Sequence, residues 1–209
     1  MVASRVTPVT VLSGSFGSGK TTLVKRVFED PRYADTVLLT GEWSEVPATA
    51  CACCRVAGDL VQALRELHFK RAEGAVPDFP HVIIETRGHA DPAPLLATLR
   101  ELPLVAVRYS PAGVVTVVDG ERGMRTLEEH PEAVRQVEVA DLLVITKCDL
   151  VAPAAVDALE LRLASLNPAA PRLRSAHASV DPAVLLASRG PREAGHAVSF
   201  GTSAGVFRA

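Results

Sequence analysis

Gly14-Ser15-Phe16-Gly17-Ser18-Gly19-Lys20-Thr21 has the residue types and spacing of a phosphate-gripping loop. Glycines let successive backbone N–H groups turn inward around phosphate oxygens. A lysine at position 20 reaches β- and γ-phosphates, and the Thr21 hydroxyl suits Mg²⁺. The candidate nucleotide contacts in this stretch are Gly14, Ser15, Gly17, Ser18, Gly19, Lys20, Thr21 and Thr22. Farther along, Val82-Ile83-Ile84-Glu85 is an apolar run ending in an acid, with Gly88 just after it. Glu85 is a candidate holder of Mg²⁺ or its water, and the Gly88 N–H a candidate γ-phosphate sensor. Lys20, Thr21, Glu85 and Gly88 form the candidate catalytic set.

Thr146-Lys147-Cys148-Asp149 follows another apolar run, Leu142-Leu143-Val144-Ile145. An aspartate there accepts hydrogen bonds from guanine N1–H and the 2-amino group, a donor pair adenine lacks. The stem of Lys147 can pack over the base. Such a motif usually starts with Asn, and Thr146 departs from that. A third cluster, Cys51-Ala52-Cys53-Cys54, puts three thiols within four positions. Thiolates suit Zn²⁺ or Co²⁺, and clustering is unlike a disulfide framework. These three residues cannot complete an ideal tetrahedron. Glu42, Glu45, a histidine, water or a second chain must add to them, and a second chain means a homodimer.

These groups need elements to position them. Val6 to Leu12 reads as a buried strand and Lys20 to Glu29 as a helix stopped by Pro31. Val37–Thr40, His81–Glu85, Gly113–Val118 and Asp141–Thr146 read as further strands. Helices are predicted from a cap at Asp59 to Lys70, and over Pro92–Glu101, Pro131–Ala140, Ala152–Leu166 and Pro182–Ser188. Thr40 to Cys54 reads as a loop. Alternation of strand and helix predicts an α/β fold of the P-loop NTPase type: a mostly parallel central sheet with helices on both faces. Each chemical motif except the cysteines falls at a strand's carboxyl end, where such sheets bind ligands.

The net charge of −2 supplies no general attraction for nucleic acid or an anionic membrane. Few aromatics argue against base-stacking surfaces. No apolar stretch has bilayer-spanning length, and the amino terminus lacks the pattern of a secretion signal. A cytoplasmic location is expected.

Several stretches resemble the CobW-type GTPases, metallochaperones related to the nickel-inserting GTPases of urease and hydrogenase maturation. The likeness rests on residues 12 to 23 around the phosphate loop and on Cys51-Ala52-Cys53-Cys54 with Gly58-Asp59-Leu60 after it. It continues through Ile84-Glu85-Thr86-Arg87-Gly88-His89-Ala90-Asp91-Pro92, Val115 to Asp119, Gln136 to Asp141, Lys147 to Leu150 and Leu166-Asn167-Pro168. The resemblance implies Mg²⁺-dependent GTP binding and hydrolysis, with delivery of Zn²⁺ or Co²⁺ to a metal-requiring client. The metal ligands would be Cys51, Cys53 and Cys54, and the Mg²⁺ ligands Thr21 and Glu85.

The chain departs from the family pattern in the short stretch between Thr40 and Cys51, in Ala50, and in Arg87 and His89 around Gly88. His89 as a metal ligand and Arg87 as a γ-phosphate cation are set against an ordinary exposed loop. Residues 1–190 are expected to form the GTPase domain, and 191–209 a Gly- and Ser-rich tail prone to disorder. The second, smaller domain usual in the family is not seen in these residues. Two rival functions stand beside the metallochaperone. One is a nucleotide-gated regulator of a partner enzyme with little hydrolysis; the other is an ATP-dependent P-loop kinase.

Overall fold

The computed structural model describes residues 6–41, 52–88 and 90–187, with the backbone alone for 52–59. Six strands form one sheet: β1 (Thr7–Ser13), β2 (Val37–Gly41), β3 (Val82–Thr86), β4 (Tyr109–Asp119), β5 (Leu142–Thr146) and β6 (Arg172–Arg174). Their order is β2-β3-β1-β4-β5-β6, and every pairing is parallel. From β1 the chain goes to the edge at β2, returns inward to β3, then crosses over β1 and builds the other side outward through β4, β5 and β6. That reversal opens a crevice at the strands' carboxyl ends.

Near-continuous apolar runs make the strands, because both faces of the sheet are covered. Alternate residues serve opposite layers. Val9, Val11, Ile84 and Val114 pack under α2 (Ala52–Ala72), α3 (Ala93–Glu101) and α4 (Pro103–Ala106). On the same face, Val118, Leu143 and Ile145 pack with α5 (Gly123–Glu129), α6 (Pro131–Glu138) and α7 (Pro153–Leu166). The opposite face sets Leu12, Ile83, Val115, Val117 and Val144 against α1 (Lys20–Glu29) and α8 (Pro182–Leu186). Among the described residues no helix is long and apolar enough to cross a membrane.

The sequence expectations need four corrections. Helix α2 starts at Ala52, so Asp59 lies in the helix interior rather than at its start, and Cys53 and Cys54 belong to the first helical turn rather than a loop. Gly58 costs a helix interior about 1 kcal/mol. Burial of Leu60, Leu64 and Leu67 on the sheet outweighs that cost. Strand β4 starts at Tyr109, ahead of Pro111. Proline is tolerated there because β4 has only β1 as a neighbour until its pairing with β5 begins at Val115. The short helices α4 and α5 carry too few turns to show a periodicity. Strand β6 has the charged pattern Arg-Leu-Arg of a sheet edge, which hides it from an apolar scan.

Candidate nucleotide site

The loop between β1 and α1 depends on its glycines at defined points. Gly14 (φ +134°) has its α-carbon against the Val117 carbonyl, where a Cβ would overlap the oxygen. Gly17 and Gly19 take φ of +70° and +99°, the left-handed region that disfavours side chains. Helix α1 then begins at Lys20, with its amino end facing the crevice. The Lys20 ammonium donates to the carbonyls of Gly14 (2.6 Å) and Ser15 (2.9 Å). Burial lowers its pKa, while the Glu85 charge acts in the opposite direction.

At the second residue of α1, Thr21 Oγ1 donates to Glu85 Oε1 at 2.8 Å. Strand β3 delivers Glu85 to that point, paired with Leu12 of β1 and Thr40 of β2. A hydroxyl and a carboxylate side by side are hard oxygen donors, the set Mg²⁺ takes beside phosphate. The structure therefore fits Mg²⁺ at Thr21 and Glu85. Lys20, Thr21, Thr22, Thr40, Glu85, Arg87, Gly88 and Lys147 line one open cleft of about 510 Å³ with Gly17 and Gly19.

Gly88 is buried where a Cβ would overlap the Phe16 ring. From beneath, the Gln136 side-chain amide donates to the carbonyls of Gly88 and Ala90, each at 2.8 Å. Gln136 is itself held, because Thr116 Oγ1 donates to its carbonyl at 2.7 Å. The loop after β3 is thus gripped between the phosphate loop and α6.

At the other end, Thr146 has a structural use for its hydroxyl. Its Oγ1 donates to Ser18 O at 2.6 Å, tying β5 to the phosphate loop. Lys147 adopts φ +55°, and its ammonium is paired with Asp119 Oδ2 at 2.5 Å. Asp119 Oδ1 also accepts the N–H groups of Glu121 (2.8 Å) and Arg122 (3.2 Å). Asp149 lies outside the cleft lining. Its Oδ1 accepts the His177 N–H at 3.1 Å, and its Oδ2 is 3.2 Å from His177 Nδ1. That backbone N–H is the main cause holding the Asp149 carboxyl below its ordinary pKa.

Sequence reasoning missed Asp119, Gln136 and His177 as site residues. Asp119 had a signal, since it ends an apolar strand as Glu85 nearly does. His177 had none, and its φ of +52° is visible only in the fold. Cys51 and His89 lie outside the described residues, as do Glu42, Trp43 and Glu45; Cys53 and Cys54 are described in backbone only. Among the described residues, no group of three His, Cys, Asp or Glu side chains is placed to hold a metal.

A model of the CobW/HypB/UreG nucleotide-binding domain matches residues 8–49 and 47–174. The chain belongs to this CobW/HypB/UreG family. The CobW-family domain is 28% identical over 198 residues to the zinc chaperone YjiA of Escherichia coli (strain K12), covering 87% of this chain and 61% of YjiA. It is 25% identical to zinc-regulated GTPase metalloprotein activator 1 of Schizosaccharomyces pombe, covering 83% of this chain and 47% of that protein. The crystal structure of the Zn(II)-bound YjiA GTPase from E. coli superposes with a TM-score of 0.71 at 26% identity, over 88% of this chain and 62% of that one. The CobW-family domain thus spans about half to two thirds of these relatives.

Proposed function

We propose that this CobW-family domain binds Mg²⁺–GTP, hydrolyses it slowly, and uses the cycle to hold and release a metal ion for a client protein. The observation that carries the reading is the Thr21–Glu85 contact beside Lys20 in one cleft. Lys20 meets the β- and γ-phosphates once its ammonium leaves the Gly14 and Ser15 carbonyls. Thr21 and Glu85 hold Mg²⁺, which when bound neutralises phosphate charge. Gly88 turns its N–H to the γ-phosphate, and Asp149 reads guanine with Lys147 beside the base. A water oxygen bonds to Pγ, the bond to the β–γ bridging oxygen breaks, and GDP leaves with that electron pair. The water's proton passes to the phosphate product or to solvent. Glu85 is the only carboxylate among the described residues lining the cleft, and Thr21 occupies it. With no free base at hand, hydrolysis is slow and driven by charge placement.

The cargo site is Cys51, Cys53 and Cys54, with Zn²⁺ favoured by the zinc-named relatives and Co²⁺ the alternative. A second copy of the chain or a nearby carboxylate completes the coordination, and the reducing cytoplasm keeps the thiols available. Helix α2 begins at these cysteines and follows β2, whose Thr40 reaches the cleft. Order at the γ-phosphate can therefore pass to the metal ligands. The test is metal titration, read by Trp43 fluorescence, with GTP, GDP and no nucleotide. Zinc should bind tightest in one nucleotide state; equal affinity in all three rules the delivery cycle out.

A further inference from the structure

We propose that Arg87 is a built-in catalytic cation that stabilises the charge developing on the γ-phosphate during hydrolysis. This rests on the GTPase reading above. Arg87 has an exposed side chain and lines the cleft with Lys20, Thr21 and Glu85. Its backbone is fixed on both sides. Before it, Thr86 ends β3 and donates from Oγ1 to Leu12 O at 3.3 Å. After it, Gly88 is packed under Phe16, and its carbonyl is bonded by Gln136. A long cationic arm therefore springs from a rigid base at the wall of a phosphate cleft.

Lys20 and Lys147 line the same cleft. Arg87 stands between Glu85 and Gly88, on the side of the crevice assigned to the terminal phosphate. A guanidinium suits that place because its planar fork donates to two phosphate oxygens together. As the Pγ–O bond to GDP lengthens, charge grows on the bridging oxygen and is spread over the equatorial ones. Arg87 meets that charge; it neither gives nor takes a proton, so the overall reaction stays GTP and water to GDP, phosphate and a proton.

The experiment compares wild type, Arg87→Ala and Arg87→Lys in the full chain. Three quantities are read: GTP affinity, affinity for GDP with aluminium fluoride, and the single-turnover hydrolysis rate. Arg87→Ala should keep GTP affinity within about threefold yet lose about 100-fold in rate, the effect of deleting one oriented transition-state donor. It should also lose the tighter binding of the aluminium fluoride complex over GDP alone. Arg87→Lys should recover only part of both, lacking the fork. An Arg87→Ala protein that matches wild type in rate and in aluminium fluoride binding overturns the inference and leaves the GTPase reading intact. A wild type that binds GTP without turning it over sinks both.

Discussion

The two ends of the crevice are built on different principles. At the phosphate end, eight consecutive residues carry the geometry. Gly14, Gly17 and Gly19 set the backbone, and Lys20 bonds carbonyls five and six residues away. At the base end, the side-chain pairs that hold Lys147 and Asp149 are assembled from afar. Lys147 meets Asp119 and Asp149 meets His177, each across 28 residues of chain. Three non-glycine residues with positive φ, Lys147, His177 and Ala178, cluster there. Such conformations cost about 1–3 kcal/mol each and persist only where the surrounding structure imposes them. A local grip tolerates change elsewhere in the chain, whereas an assembled one is vulnerable at several separated positions.

That contrast can be broken most severely at Lys20. In Lys20→Ala, single-turnover GTP hydrolysis should fall about 1000-fold, as expected for a principal electrostatic donor. A drop smaller than about tenfold would mean that the phosphate end is not where the chemistry occurs.

The next effect separates the two halves of the sheet. His81 lies buried at the start of β3, the strand that carries Glu85, with Nε2 2.8 Å from Thr10 Oγ1. Burial pushes its pKa down to about 4. The unfolded chain takes up this proton first, near pH 6.5. The native state therefore has its full stability above that pH and loses it as pH falls toward 4. The loss amounts to about 3 kcal/mol. Urea midpoints at pH 7 and pH 4.5 should show the decline, and His81→Gln should flatten it. An unchanged slope in that variant would assign acid sensitivity to other groups.

Asp149→Asn probes the base end. It should weaken GTP binding about 100-fold while leaving ATP binding nearly unchanged, the scale of a lost charge-assisted pair. Persistent preference for GTP in the variant removes Asp149 as the guanine reader, whereas tighter binding of ATP than of GTP by the wild type supports the ATP-dependent kinase. The smallest effect belongs to His177→Gly. Glycine keeps the N–H that reaches Asp149 and relaxes the positive φ, while losing only an exposed ring contact that solvent screens. GTP affinity should shift by less than about threefold. A larger loss, in isothermal titration, would show that the imidazole itself holds the carboxylate.

The sheet was legible because its strands are apolar runs of a length no amphipathic helix shows, and parallel burial on both faces makes such runs conspicuous. Strand β6 was not, because Arg172 and Arg174 disguise an edge strand whose identity comes from pairing with β5. The start of α2 was not, because Asp59 reads as a helix cap, whereas the helix already begins at Ala52. Thr146 read as a departure from pattern, yet its hydroxyl reaches the Ser18 carbonyl and joins the two ends of the crevice.

The sequence by itself determined the fold class and the phosphate loop, since apolar periodicity, glycine φ freedom and a neighbouring lysine all act over a few residues. Only the tertiary structure decided what holds Lys147, Asp149 and the Gly88 loop. Their partners Asp119, His177 and Gln136 lie 28 to 48 residues away. Contacts at that separation leave no local spacing to read, because they exist only once the parallel sheet has brought its strand ends together.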